Sequence, residues 1–394
     1  MTLRHKIEQE IRERGPIAFS RYMELCLYDP ELGYYSRNAE QFGKSGDFYT
    51  SSDVHAVFGR LLARHFEEIW RVLGAPTQIE VLELGPGRGL FAQDVLDWSE
   101  KKFPEFFHAV RYTLAERSPA LRERLRSNLI RHFSAGRASL HSRNGFAHRE
   151  GTTSTMPDSI GLERTLAPEV PVIVFANEFF DALPVEILSP QGELRVTQED
   201  GRLLEASHPA SGAALEFLDR YSVHPEAGER IEAPLIAQRY TSQIAAAIDC
   251  GVLIAIDYGY TRQEQLAGRH RGTVAAYRQH SMSANPYEAP GEQDITAHVN
   301  FTALAAAAEE QGMQVQPLLT QSQFLMGIGE HNQFADAFEE CRLPQEHAKV
   351  ALQLKHLVSP AGMGETFHVL IASKGITEER VAGLSGLTFG KTKP

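Results

Sequence analysis

Apolar residues recur at helical spacing through about position 75, and beyond it they gather into short runs that are apolar almost throughout. The first stretch predicts a helix over 3–14, stopped by Gly15-Pro16, and a second over 18–27, ended by Asp29-Pro30 and a turn at Gly33. After a loop holding Gly43 and Gly46, the positions Val57, Phe58, Leu61, Leu62, Ile69 and Trp70 share one side of an amphipathic helix. Ser52 or Asp53 suits its N-cap, and Gly74-Ala75-Pro76 closes it.

From Gln78 the pattern becomes strand then helix, with strands expected at 79–84, 111–116, 138–142, 171–176 and 252–258. Short apolar strands spaced by helices imply a parallel sheet covered on both faces. Residues 186–245 interrupt it with turn signals at Pro190-Gln191-Gly192 and Asp200-Gly201, which suggests a small antiparallel insertion followed by a helix over 229–248. A second irregular stretch covers about 262–300, followed by helices over 301–311, with Asn300 as N-cap, and 344–357. Residues 365–372 read as a closing strand, and the remainder as a loose tail.

This pattern divides the chain into an N-terminal helical segment with a lid loop (1–75), a sheet core (76–185, 246–261 and 346–374), insertions (186–245 and 262–345) and a tail (375–394). Ligands of such sheets bind beyond the carboxyl ends of the strands, so the residues at those ends carry the candidate chemistry.

The end of the first strand is the most telling. Glu83-Leu84-Gly85-Pro86-Gly87-Arg88-Gly89 passes from an acid into a glycine turn and then into a helix beginning near Leu90. Bare backbone lets a ligand approach closely. A dinucleotide fingerprint needs its third glycine at position 90, which is Leu90, and this disfavours a nicotinamide-dependent oxidoreductase. The spacing looks like the first motif of class I S-adenosylmethionine methyltransferases. Glu116 ends the second strand, where a carboxylate can accept both ribose hydroxyls; the alternative is a simple pairing with Arg117.

Past the fourth strand comes Asn177-Glu178-Phe179-Phe180-Asp181-Ala182-Leu183-Pro184. Glu178 and Asp181 either cap the next helix or face one cavity, where a guanidinium would neutralise them through its planar fork. Asp47 in the N-terminal loop either lines a lid or makes a turn. Asp294 and His298 either contact substrate or cap the helix beyond.

Composition narrows the classes. A net charge of −12 disfavours a general nucleic-acid binder. Arginines recur at 117, 122, 124, 126, 131, 137 and 143, and a solvated helix face is the simpler reading against a docking patch for an acidic partner. Cys26, Cys250 and Cys341 lie far apart, and neither they nor the sixteen histidines show metal-ligand spacing, so no metal is expected. No apolar run is long enough to span a membrane and no signal or transit segment is seen; a bacterial cytoplasmic protein is the expectation.

Taken together, Gly46-Asp47-Phe48-Tyr49-Thr50-Ser51, the Glu83–Gly89 turn, Glu116 with Ser118-Pro119, the stretch 177–184, Asp257-Tyr258-Gly259 and Asp294-Ile295-Thr296 resemble the MidA family, from about Gly15 to Ser373. The chain departs from the family pattern at Ser52, usually Pro, and at Asn300, usually Asp.

The resemblance implies a Rossmann-like α/β fold with a mostly parallel seven-stranded sheet, the N-terminal helices and α+β insertions building the substrate side. It implies S-adenosyl-L-methionine as cofactor, held by Glu83, Gly85, Pro86, Gly87, Gly89, Glu116, Asn177 and Thr50. It further implies methylation of a protein arginine, on a subunit of respiratory complex I type, with Glu178 and Asp181 as the clamp and Asp47 or His298 assisting. A monomer and a homodimer both remain open. So do a small-molecule methyltransferase and a cofactor-binding assembly factor with little turnover.

Overall fold

The run Ile79–Leu84 (β1) is buried along its whole length, Glu80 and Glu83 included, and lies inside a sheet with a neighbouring strand on either side. A computed structural model describes residues 2–36, 56–141, 169–278, 281–283 and 285–390. Within the sheet, β1 is followed by Val110–Ala115 (β2), Ala138–Leu140 (β3), Val172–Asn177 (β4), Gly251–Tyr260 (β5), Gln314–Val315 (β6) and Phe367–Lys374 (β7). Their spatial order is β6-β7-β5-β4-β1-β2-β3, and two short strands, Val299–Asn300 and Leu319–Thr320, pair alongside β5 and β7. β1 to β5 run parallel, and β7 is antiparallel to β5 and β6. The expected mostly parallel sheet of seven main strands is therefore observed, with each predicted strand displaced by only a residue or two.

Alternation along the strands explains why both faces are covered. Ile173, Phe175, Val252 and Ile254 enter one core with the helices Ala56–Val72, Leu90–Lys102 and Gln321–His331. Val174, Ala176, Leu253 and Ala255 enter a second core with Leu235–Ala247 and Phe301–Glu309. Each fully buried Ile, Val or Phe here contributes about 1.5–3 kcal/mol.

A third core lies apart from the sheet. Leu3, Ile7, Phe19 and Met23 of the N-terminal helices pack with Ile187, Leu194 and Val196 of the first insertion and Ala276 and Ile295 of the second. Ile17–Ala18 pairs antiparallel with Gly192–Glu199, so the N-terminal segment is stitched into the insertion's sheet. The three stretches that read as separate units in sequence share one interior.

Packing changes four expectations. Helix Ala56–Val72, counted with the N-terminal segment in the sequence, packs into the sheet core. The helix expected over 229–248 begins only at Leu235, because Ile231–Ala233 pairs with Glu186–Leu188 and Pro234 sits at the N-cap. Helix Gln321–His331, which the sequence reading did not resolve, packs Phe324 and Ile328 on the sheet. The tail is not loose as far as residue 390: Val381, Leu384 and Leu387 are buried in the first core, and Ser385 donates its N–H and Oγ–H to Glu68 Oε2 at 3.1 and 2.6 Å. Among the described residues no helix is long and apolar enough to cross a membrane.

Candidate functional site

At the carboxyl end of β1 the chain turns through three left-handed glycines, Gly85, Gly87 and Gly89, with φ of 64°, 52° and 77°. Each position has its own reason for lacking a side chain. A Cβ at Gly89 would lie 2.5 Å from Leu125 Cδ2, and one at Gly85 3.0 Å from Phe179 Cδ2. At Gly87 a Cβ would meet nothing within 4 Å, so the turn keeps an open face there. No side chain caps the start of helix Leu90–Lys102, which leaves N–H groups at a positive dipole end.

Two buried acids flank this turn. Glu83 accepts a hydrogen bond from Tyr112 Oη at 2.9 Å, and burial, helped by the charge of Glu116, pushes its carboxyl up to about 8. Glu116 lies just past β2, accepts the Ser118 N–H at 2.7 Å, and burial pushes it up to about 7. Arg117 acts on it through its backbone N–H and its charge, both lowering the carboxyl. Arg122 instead secures the strand end by donating to the carbonyls of Glu116 and His141 at 2.8 and 3.0 Å. It is 7% exposed, so the arginine run is not one solvated face. Asn177 ends β4, donates Nδ2–H to Glu178 Oε1 at 3.0 Å, and keeps a buried Oδ1 with no partner.

The acids after β4 are held by a residue that sequence reading set at a strand end without giving it a role. Asp257 is fully buried in β5; its Oδ2 accepts the N–H groups of Phe179, Phe180 and Asp181 at 3.2, 3.0 and 3.3 Å, and its Oδ1 accepts that of Tyr258 at 3.0 Å. This pins a turn in which Glu178 adopts φ 50°, an uncommon conformation for a side-chain-bearing residue. Glu178 and Asp181 do not cap a following helix. Asp181 Oδ2 accepts the Tyr258 Oη–H at 2.6 Å, while its Oδ1 is buried with no partner. Burial raises the Asp181 carboxyl to about 6, and Asp257 is raised by burial and by the charges of Asp181 and Glu178.

His298 lies beside this group, its ring 5.2 Å from that of Tyr258. Its Nδ1 is 3.1 Å from Nδ1 of His270, and burial together with His270 lowers it to about 4, so the ring is neutral at physiological pH. Asp294 does not cap a helix; it begins a short strand and accepts a hydrogen bond from Tyr35 Oη at 2.9 Å. Asp47 and Thr50 lie outside the described residues. Asp257, Tyr258, Tyr35 and Asp294 surround the turn only through tertiary contacts; among them, Asp257 and Tyr258 had a signal in their place at a strand end and Asp294 in the family resemblance of Asp294-Ile295-Thr296, and Tyr35 had none.

Comparison with known proteins bears on this geometry. Residues 61–319, more than half of the chain, match a family model described as "Putative S-adenosyl-L-methionine-dependent methyltransferase". The chain is 30% identical over 379 residues to the mitochondrial protein arginine methyltransferase NDUFAF7 of Danio rerio, covering 93% of this chain and 85% of that one. It is 29% identical over 391 residues to the Drosophila melanogaster homolog, covering 95% and 85%. A Burkholderia thailandensis protein crystallised with S-adenosyl-homocysteine superposes with a TM-score of 0.79 at 27% identity, over 100% of this chain and 95% of that one.

Proposed function

Since the chain belongs to the MidA family of S-adenosyl-L-methionine-dependent methyltransferases, we propose that its methyl acceptor is an arginine side chain of a partner protein. The observation that carries this reading is the pair of acids directly after β4, Glu178 and Asp181, the second with a buried and unpartnered Oδ1. An arginine guanidinium stays protonated at neutral pH, so it needs carboxylates both to be held and to be made nucleophilic.

The residues present fit the cofactor. The open face at Gly87 gives its main chain room to approach, and the unpaired Asn177 Oδ1 is a buried acceptor that lacks a donor. Glu83, Gly85, Pro86, Gly87, Gly89, Glu116 and Asn177 would hold it, with the Glu116 carboxylate taking the ribose hydroxyls. Bound, the cofactor supplies an electrophilic methyl group whose carbon–sulfur bond breaks as the new carbon–nitrogen bond forms, leaving a thioether.

The chain's own residues do the rest. Glu178 and Asp181 align one guanidinium nitrogen, and Asp257 fixes their separation by clamping the backbone between them. Asp181 is ionised above pH about 6 and accepts the proton that the methylated nitrogen releases, with neutral His298 next in reach of Tyr258. A subunit of respiratory complex I type is the partner that the family suggests.

The test is transfer from methyl-labelled S-adenosylmethionine to proteins of a cell extract, followed by hydrolysis and amino-acid analysis. Label in methylarginine, lost in Asp181→Asn, supports the reading. Label confined to other products would end it.

A further inference from the structure

Three segments remote in sequence close on one another around Asp181. Ala297, just past the short strand Asp294–Thr296, donates its N–H to the Asp181 carbonyl at 3.0 Å, and Asp294 opens that strand. Tyr35 Oη–H donates to Asp294, the rings of Tyr35 and Tyr28 lie 5.5 Å apart, and Tyr28 Oη–H donates to the Ala182 carbonyl at 2.9 Å. The circuit thus returns to the residue next to Asp181. Tyr28 and Tyr35 each lie within electrostatic reach of both Asp181 and Asp294.

Asp181 is 7% exposed and leaves Oδ1 without a partner, and no described Lys or Arg pairs with it. The Arg117 guanidinium stands over the Tyr28 ring, 5.8 Å from its centroid. A buried carboxylate oxygen with nothing to accept from is costly unless a ligand supplies a cation. Tyrosine rings beside it add a surface that cations favour.

We infer that Asp294, with Tyr35 and Tyr28, forms a second wall of the acceptor pocket, so that a cationic side chain is held between this wall and the Asp181–Tyr258 pair. Asp294 is then a binding carboxylate contributed by the second insertion, and it makes the site selective for charge as well as shape. This rests on the proposal that a protein side chain is the acceptor.

The experiment uses the full chain saturated with S-adenosylhomocysteine and three short capped peptides, Gly-Arg-Gly, Gly-Lys-Gly and Gly-citrulline-Gly, with binding followed by NMR or calorimetry. Citrulline keeps the shape of arginine and removes the charge. The arginine peptide should bind at least about tenfold tighter than the citrulline peptide, and Asp294→Asn should weaken it about tenfold while leaving affinity for S-adenosylhomocysteine unchanged. Tyr35→Phe, which keeps the ring and removes the hydroxyl, should weaken it about threefold and carries the test if Asp294→Asn does not fold.

Equal or absent binding of the arginine and citrulline peptides overturns the cationic pocket. Full affinity in Asp294→Asn and Tyr35→Phe, with loss in Asp181→Asn, overturns the second wall while sparing the methyltransferase reading. Tighter binding of the lysine peptide than of arginine upholds the pocket and removes arginine as the acceptor.

Discussion

The two sides of the site are built in opposite ways. The proposed cofactor side is nearly continuous in sequence: β1, three glycines and the start of a helix follow within a dozen residues or so, and Glu116 and Asn177 come from neighbouring strand ends. The proposed acceptor side takes Tyr28 and Tyr35 from the N-terminal segment, Glu178 and Asp181 from the turn after β4, Asp257 and Tyr258 from β5, and Asp294 and His298 from the second insertion. A locally encoded site keeps its chemistry as long as one turn keeps its shape. A site assembled from remote segments depends on the packing of the third core, and its specificity can change with any of them.

The sharpest way to break the first side is at Gly89. Valine there combines a left-handed φ of 77° with a Cβ 2.5 Å from Leu125, and we expect a loss of about 4 kcal/mol, measurable by denaturant unfolding. By contrast, Gly87→Val meets open space, so it should remove S-adenosylhomocysteine binding at a smaller cost of about 2 kcal/mol in stability. Equal stability losses at the two glycines would refute the distinct roles given to them.

On the acceptor side, Asp181→Asn should lower kcat/KM about a hundredfold, roughly 2.7 kcal/mol, with the affinity for S-adenosylhomocysteine kept within about twofold. The wild-type rate should also rise with pH through about 6, as the Asp181 carboxyl ionises, and Asp181→Asn should lose that limb of the profile. A parallel loss of cofactor affinity would show that the two sides are not separable.

Glu83 supplies a test in the other direction. Its folded pKa of about 8 lies above the ordinary 4.5, so its protonated form favours the fold. That contribution is fully present below about pH 4.5 and is lost as pH rises through about 8. Glu83→Gln keeps an acceptor for Tyr112 and should flatten this dependence, gaining about 2 kcal/mol over wild type above pH 8 when no cofactor is present. Thermal unfolding of the two proteins across pH 5–9 would measure it, and identical pH dependences would count against the assignment.

The smallest effect is expected at Asn300. Asn300 Oδ1 caps helix Phe301–Glu309 by accepting the Ala303 N–H at 3.0 Å, and its Nδ2–H donates to the Tyr221 carbonyl at 3.0 Å. Asn300→Asp keeps the cap and loses the second bond, which should cost about 1 kcal/mol in a buried setting. An unchanged or higher melting temperature would mean that the Tyr221 contact contributes nothing.

What the sequence alone determined depends on neighbours along the chain. Short, mostly apolar runs pointed to buried parallel strands, and the glycines of 85–89 to a turn with bare backbone. Asn300 announced its helix, because capping is a bond between residues three apart. Tertiary structure decided the rest. Pairing with Glu186–Leu188 made a strand of 231–233 where helical spacing suggested otherwise, and burial against the first core packed, as far as residue 390, the tail that the sequence reads as loose. The same holds for the acceptor wall. Asp257 gathers three N–H groups some 76 to 78 residues away, and Tyr35 reaches Asp294 across 259. Hydrogen bonds over such separations leave no periodic trace in a sequence, since they are set by which cores pack together and not by which residues follow one another.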